Sequence, residues 1–191
     1  MGNLAYKYDE IPYEILDGVK IYMLARPSTN HNTVILNLSM IFGPFLKNKK
    51  CKAFFDGVDV YLTENDIVIP DFMVVCNRNI INKKGIYGAP DLIVEVLSPG
   101  TEKNDRGYKK NLYQQCGVKE YWIIDSEKRS IEVYLLTDGQ YELKDVYIIY
   151  PDYELESMTE EEKGQIITKF KTSLYDDLIV SLDDVFDDML F

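Results

Sequence analysis

Four residues draw attention by type and spacing: Asp71, Asp91, Glu95 and Lys109. The three acids lie in apolar runs, Asp91 and Glu95 in DLIVEVLS (91–98) and Asp71 in IVIPDFMVV (67–75). Charged groups are rare in buried strands unless they are paired or hold a cation. Alternation along a strand puts Asp91, Ile93, Glu95 and Leu97 on one face. Four residues along a strand span roughly 13 Å, too far for Asp91 and Glu95 to grip one ion. Glu95 therefore needs a partner from a neighbouring strand, and Asp71 is the candidate. Antiparallel pairing with Asp71 opposite Glu95 also sets Cys76 opposite Pro90, leaving the residues between them as a connecting loop. Opposed side chains lie about 4.5–5.5 Å apart. Two carboxylates at that distance can share a divalent cation, and without one their repulsion inside a sheet is costly.

Lys109 supplies the complementary charge. Thr101, Asp105, Lys109 and Tyr113 are spaced by four, so on a helix they form one slowly drifting stripe. Lys109 can then reach back over the C-terminal end of the Glu95 strand, orient a water or stabilise charge on a phosphate oxygen. The plain alternative is a surface ion pair between Asp105 and Lys109.

The elements that must position these groups follow from pattern. YEILDG and KIYML flank an Asp17-Gly18 turn and predict an N-terminal hairpin. STNHNTVILNLSMIFGPFL predicts a helix capped by Ser28 or Asn30, with Val34, Leu38, Ile41, Phe42 and Phe45 on one face. Short strands follow around KAFFDGVDVYL and DIVIPDFMVV, and then the Glu95 strand. The next helix is capped by Thr101, ends at Gly117 and is weakened by Gly107. EYWIID (120–125), IEVYLL and YELKDVYIIY continue the strands, with a hairpin turn at Asp138-Gly139. With no repeat and no linker, one mixed α/β domain over 1–191 is expected, the acidic segment 152–191 included.

Composition sets the outer limits. No apolar run approaches 18 residues and the first residues are too acidic for a signal peptide, so a cytoplasmic protein without a membrane partner is expected. The three cysteines, Cys51, Cys76 and Cys116, are odd in number and far apart, which predicts reduced thiols rather than a disulfide or a thiolate zinc site. A net charge of −11 argues against a polyanionic partner, but residues 152–191 carry −9 of it. The rest is nearly neutral, with basic clusters at 47–52 and 82–84 and at Lys103, Arg106, Lys109 and Lys110. The acidic segment is either a solubilising edge of the fold or an internal polyanion mimic covering that basic surface.

The PD of IVIPDFMVV, then GAPDLIVEVLSPGT, DRGYK (105–109) and the block from Tyr113 through GVKEYWIID resemble the Uma2 family, whose members have a PD-(D/E)XK nuclease fold. The resemblance implies a restriction-endonuclease-like α/β core, a central mixed sheet flanked by helices, and metal-dependent hydrolysis of DNA with Mg²⁺ or Mn²⁺. Asp71 matches the acid of the PD element and Glu95 that of the (D/E)XK element, and the Val96 backbone carbonyl stands where metal is often faced. Leu97 occupies the usual lysine position, and Lys109 on the following helix is the match for that lysine. Asp91 matches a further family acid, for a second metal or for orienting the site. His31, the sole histidine, matches a family histidine near the start of the first long helix; taken alone it reads as a capping or packing residue. A homodimer is left open.

The leading reading is a metal-dependent endonuclease. The alternative is a catalytically inactive nuclease-fold protein acting as a binding or regulatory module, which Leu97 and the acidic segment favour. An enzyme acting on another phosphoester or on a nucleotide is the third.

Overall fold

The computed structural model describes residues 11–23 and 26–190; the reading of the first ten residues lies outside this range. The chain opens on a hairpin, β1 (Tyr13–Leu16) and β2 (Val19–Tyr22), paired antiparallel. Asp17 and Gly18 both take positive φ (51° and 76°), as a two-residue hairpin turn requires. Helix α1 (Thr29–Leu46) follows, its first turn capped by the Ser28 hydroxyl, which accepts from the His31 amide. The apolar stripe of α1 is buried at Val34, Leu38 and Phe42, while Ile41 and Phe45 are partly buried.

Six strands make the main sheet: β3 (Lys52–Phe55), β6 (Phe72–Val75), β9 (Leu92–Val96), β10 (Glu120–Asp125), β11 (Ser130–Thr137) and β12 (Gln140–Ile148). They lie in the order β12-β11-β10-β9-β6-β3, with β9 and β10 parallel and every other neighbour antiparallel. Phe72 pairs with Val94, Met73 with Ile93 and Val74 with Leu92, the register that brings Asp71 opposite Glu95. Both faces of this sheet are covered, and for that reason β6 and β9 are buried at every position. One face packs on α1 and on the C-terminal elements β13 (Lys169–Lys171), β14 (Ile179–Ser181) and α6 (Leu182–Val185).

The other face packs on a helix and a second sheet. The helix comprises α2 (Glu102–Asn104), a π-turn (Asp105–Lys109) and α3 (Lys110–Cys116), ended by Gly117 in the left-handed region at φ 85°. The second sheet has the order β2-β1-β5-β4-β8-β7, built with β4 (Val60–Tyr61), β5 (Ile67–Val68), β7 (Ile81–Asn82) and β8 (Gly85–Tyr87). Leu16, Val60, Val68 and Ile86 turn inward from it against Met73, Val75, Ile93 and Tyr121 of the main sheet. Two short helices, α4 (Asp152–Ser157) and α5 (Glu160–Gly164), connect β12 to β13.

Three expectations are corrected. Residues 77–89 are not a plain loop, because β7 and β8 within them complete the second sheet. Cys51 and Cys76 are joined as a disulfide and only Cys116 is free. Lys52 pairs with Val75, so the next position of the same register places the two sulfurs face to face across β3 and β6. Cysteine counting carries no information on strand register, and so missed it. Thr101 makes no side-chain cap; the Ser98 carbonyl receives the Thr101 and Glu102 amides, and the two hydroxyls pair at 3.0 Å. The acidic C-terminal segment packs into the fold, and its Asp177 meets Lys49 of the basic cluster at 47–52 at 3.2 Å. Leu182, Val185 and Phe186 are core residues, and Asn30 clasps the Leu190 backbone with two hydrogen bonds of 2.8 and 2.9 Å. Among the described residues no helix is long and apolar enough to cross a membrane.

Candidate active site

The C-terminal end of β9 is where charged side chains converge. Glu95 is 3% exposed. Its Oε1 receives the Tyr113 hydroxyl at 2.6 Å and lies 2.8 Å from Lys109 Nζ. The same ammonium lies 3.0 Å from Glu14 Oε1 and 3.3 Å from Asp105 Oδ1. Lys109, itself 3% exposed, is therefore ringed by three carboxylates, and the surface ion pair with Asp105 alone is not what forms.

The π-turn explains how one helix supplies three of these groups. Positions spaced by four on a regular α-helix drift by about 40° per step, so Tyr113 would stand about 80° away from Asp105. A π-turn holds one residue more per turn and takes up that drift. Asp105, Lys109 and Tyr113 consequently face the same carboxylate. The wide turn frees the Asp105 carbonyl, which accepts from the Tyr121 hydroxyl at 3.0 Å. Tyr108, the residue before Lys109, anchors the turn from outside through a 2.7 Å bond from its hydroxyl to Asp66. Desolvation and the charge of Asp66 push that phenol up to about 12.

Asp71 lies just before β6 and closes the cluster on its open side. Its Oδ2 accepts the Val96 amide at 2.7 Å and lies 3.3 Å from His31 Nε2. Its side chain is 16% exposed, against 4% for Glu95 and 2% for Asp105, so approach from solvent is from the Asp71–His31 side. Burial alone would lower the His31 pKa, but its hydrogen bond to Asp71 and the charge of that acid raise it above the usual imidazole value. The other imidazole nitrogen, Nδ1, is buried without a hydrogen-bond partner.

The electrostatics are those of a crowded site. Burial, then the charges of Asp105, Asp71 and Glu14, push the Glu95 carboxyl well above its usual range, against the pull of Lys109. Burial likewise raises Asp105. Burial would lower Lys109, yet Glu95 and the acids around it hold the ammonium charged well past the ordinary lysine value. Three carboxylates to one ammonium leave negative charge that a proton or a second cation must meet.

The donor set suits a hard divalent cation. The oxygens are carboxylates, and buried Asp105 Oδ1 accepts no hydrogen bond and lies 3.3 Å from the Lys109 ammonium. Among the described residues, however, no three His, Cys, Asp or Glu side chains are arranged to hold a metal on their own. Magnesium commonly takes one or two carboxylates and completes its shell with water and substrate oxygens, which this arrangement permits.

Of the residues singled out in the sequence, the structure thus brings together His31, Asp71, Glu95, Val96 and Lys109. Asp91 does not join them. At the far end of β9, its Oδ2 accepts the Cys76 amide and its Oδ1 pairs with Lys119, both at 2.7 Å. Ser98 serves its turn, and Leu97 is packed apolar surface. Sequence reasoning missed Glu14 and placed Tyr113 on the Lys109 stripe without giving it a role in the site. The signal for Glu14 is its parity on β1, where it alternates with Leu16 on the inward face. An acid on the apolar face of a hairpin strand asks for a buried partner, and Lys109 is that partner.

Comparison with known proteins adds an independent line. Residues 3–164 match the model of the Uma2 family, described as "Putative restriction endonuclease". Two uncharacterized proteins of Synechocystis are similar: one is 30% identical over 66% of this chain and 67% of its own, the other 27% identical over 63% and 70%. A solved chain from Anabaena variabilis, described as "a putative nuclease belonging to DUF820", superposes with a TM-score of 0.69 at 20% identity, covering 93% of this chain and 90% of that one. That likeness establishes a common fold.

Proposed function

The chain belongs to the Uma2 family, and on that premise we propose that it is a metal-dependent endonuclease hydrolysing DNA phosphodiester bonds. One observation carries the reading: the β6–β9 register sets Asp71 opposite Glu95, with the buried Lys109 ammonium 2.8 Å from Glu95. Asp71 and Glu95 would hold Mg²⁺ or Mn²⁺, with the Val96 carbonyl nearby. An ion held there would polarise a phosphoryl oxygen and lower the pKa of water.

The chain's own groups do the rest. Lys109 stabilises negative charge that develops on phosphate, the kind of contribution that is largest in a water-poor site. Tyr113 and Glu14 fix Lys109 and Glu95 against each other. His31 orients Asp71 at the open side, and that contact raises the imidazole pKa.

The test is cleavage of plasmid and single-stranded DNA with Mg²⁺ or Mn²⁺ by the wild type and by Glu95→Ala. Loss of cleavage in the variant is expected. Equal cleavage by both proteins would trace the activity to a contaminant. A second reading, a nuclease-fold protein that binds without cutting, is favoured by Lys109 itself, whose ammonium already meets part of the charge a metal would neutralise. Calorimetry separates the two, since only the first expects uptake of Mg²⁺ that Asp71→Ala abolishes.

A further inference from the structure

The outer face of the second sheet is aromatic, and the strand register shows why. Directly paired residues share a face of a sheet. Tyr13 pairs with Tyr22, Ile15 with Lys20 and with Ile67, Ile67 with Tyr61, and Tyr61 with Tyr87. Four tyrosines from β2, β1, β4 and β8 therefore line one surface, together with Lys20. Tyr13, Tyr22 and Tyr87 are 39%, 43% and 45% exposed, an unusual amount for large rings on one face of one sheet. Tyr61 and Tyr87 stack at 4.4 Å with only 6° between their planes, and the Lys20 ammonium lies 4.2 Å from the Tyr13 centroid.

Between Tyr13 and Tyr61 is a hollow of about 460 Å³, floored by Ile67 and Ile69 and edged by Gly57 and Asp59. One strand, β5, separates the two tyrosines, so they stand on the order of 10 Å apart, room for one flat ring between them. The hollow lies on the outer face of the second sheet and is linked to the candidate active site on the inner face through Glu14. Its floor residue Ile69 donates its amide to Glu14 Oε1, the oxygen that holds Lys109. Tyr13 and Glu14 are successive residues of β1, one on the outer face and one on the inner.

We propose that this face is a stacking platform for the unpaired bases of single-stranded DNA, with the Tyr13–Tyr61 hollow taking one base beside the phosphate that meets Asp71. The inference rests on the nucleic-acid reading of the site. Aromatic rings spread over an exposed sheet bind single strands through base faces. Lys20 on the platform and the exposed Lys83 and Lys84 at its far margin (the turn between β7 and β8) meet the phosphates. The Asp59 carboxylate, whose Oδ2 lies 3.4 Å from the Tyr61 hydroxyl, offers an acceptor to base amino groups. Duplex DNA hides its base faces and has no comparable use for the rings.

The test is fluorescence anisotropy at low salt, with chelator present so that nothing is cut, using labelled oligothymidylate and a duplex of equal length. The wild type is expected to prefer the single strand. Tyr13→Ala and Tyr61→Ala should each weaken that binding by about five- to a hundredfold and leave duplex binding little changed, with thermal midpoints confirming the fold. Tyr61→Phe keeps the ring and should bind as the wild type does. Alanine variants that hold the single strand unchanged, or a wild type that does not bind it, overturn the proposal. So does a wild-type dimer that the alanine variants lose, for then a second copy of the chain covers the rings. Plasmid cleavage is scored separately: ring-dependent binding without cleavage by any variant keeps the platform and removes the nuclease reading, and cleavage without ring dependence does the reverse.

Discussion

The two ends of strand β9 use buried carboxylates in opposite ways. At the N-terminal end, Asp91 and Glu120 of the adjoining β10 are met by donors. Glu120 is fully buried and receives the Trp122 indole, the Ser173 amide and the Ser173 hydroxyl at 2.6–2.7 Å. These bonds tie the C-terminal segment to the sheet. At the C-terminal end, Glu95 is surrounded by Asp71, Asp105 and Glu14, with one lysine among them. Both acids have raised pKa values because both are buried, but like charges add to the rise only at Glu95, while hydrogen bonds oppose it at Glu120. A buried acid served by neutral donors holds a fold together. A buried acid crowded by like charge is destabilising unless a proton or a cation meets the charge, and such groups cluster at functional sites.

That contrast can be broken experimentally. Lys109→Ala should be the most damaging substitution, costing about 3–5 kcal/mol of stability because it leaves buried carboxylates uncompensated; a chemical denaturation midpoint close to wild type would mean the cluster is wetter than it looks. Glu95→Gln removes one of the crowded charges. It should reduce DNA cleavage at least about a hundredfold, near 2.7 kcal/mol in barrier, while thermal stability stays level or rises. A variant that loses both together would put Glu95 in the same structural class as Glu120.

Glu120→Ala should do the reverse, with about 1–3 kcal/mol of stability lost through the orphaned Trp122 and Ser173 donors and unchanged cleavage per folded molecule. The smallest effect sharpens the rule at the second sheet. Asp66 accepts from the Asp17 amide, Tyr108 and Thr63, and these bonds overcome burial to lower its pKa. A lowered folded pKa means stability present above the unfolded carboxyl value, about 3.9, and lost as pH falls through the folded one. Acid titration of the thermal midpoint should therefore fall more steeply below pH 4 for the wild type than for Asp66→Asn, and parallel curves would contradict it.

Much of the site was legible because its signals are local. An acid in an apolar run, a proline at a strand start and a spacing of four on a helix led to Asp71, Glu95 and Lys109 and to the register between β6 and β9. The same reasoning failed for Glu14, whose partner lies 95 residues along the chain, and for the disulfide, whose halves meet only through pairing of β3 with β6. The π-turn left no mark beyond Gly107, so the expected stripe drifts slowly from Asp105 to Tyr113 where the structure keeps the two in line. Residues 77–89 read as loop because strands of two and three residues are too short to show alternation.

What the sequence determined by itself was the set of elements and the chemical character of each face, since both follow from periodicity over neighbouring residues. Which charges share a site was decided by the tertiary structure. Whether a buried carboxylate is quiet or strained depends on groups within a few ångströms of it, and those arrive from β1, β9 and the π-turn only when the second sheet and the helix close on the main sheet. Electrostatic free energy in a dry interior is set by distance through space, and chain separation says nothing about that distance until the fold has formed.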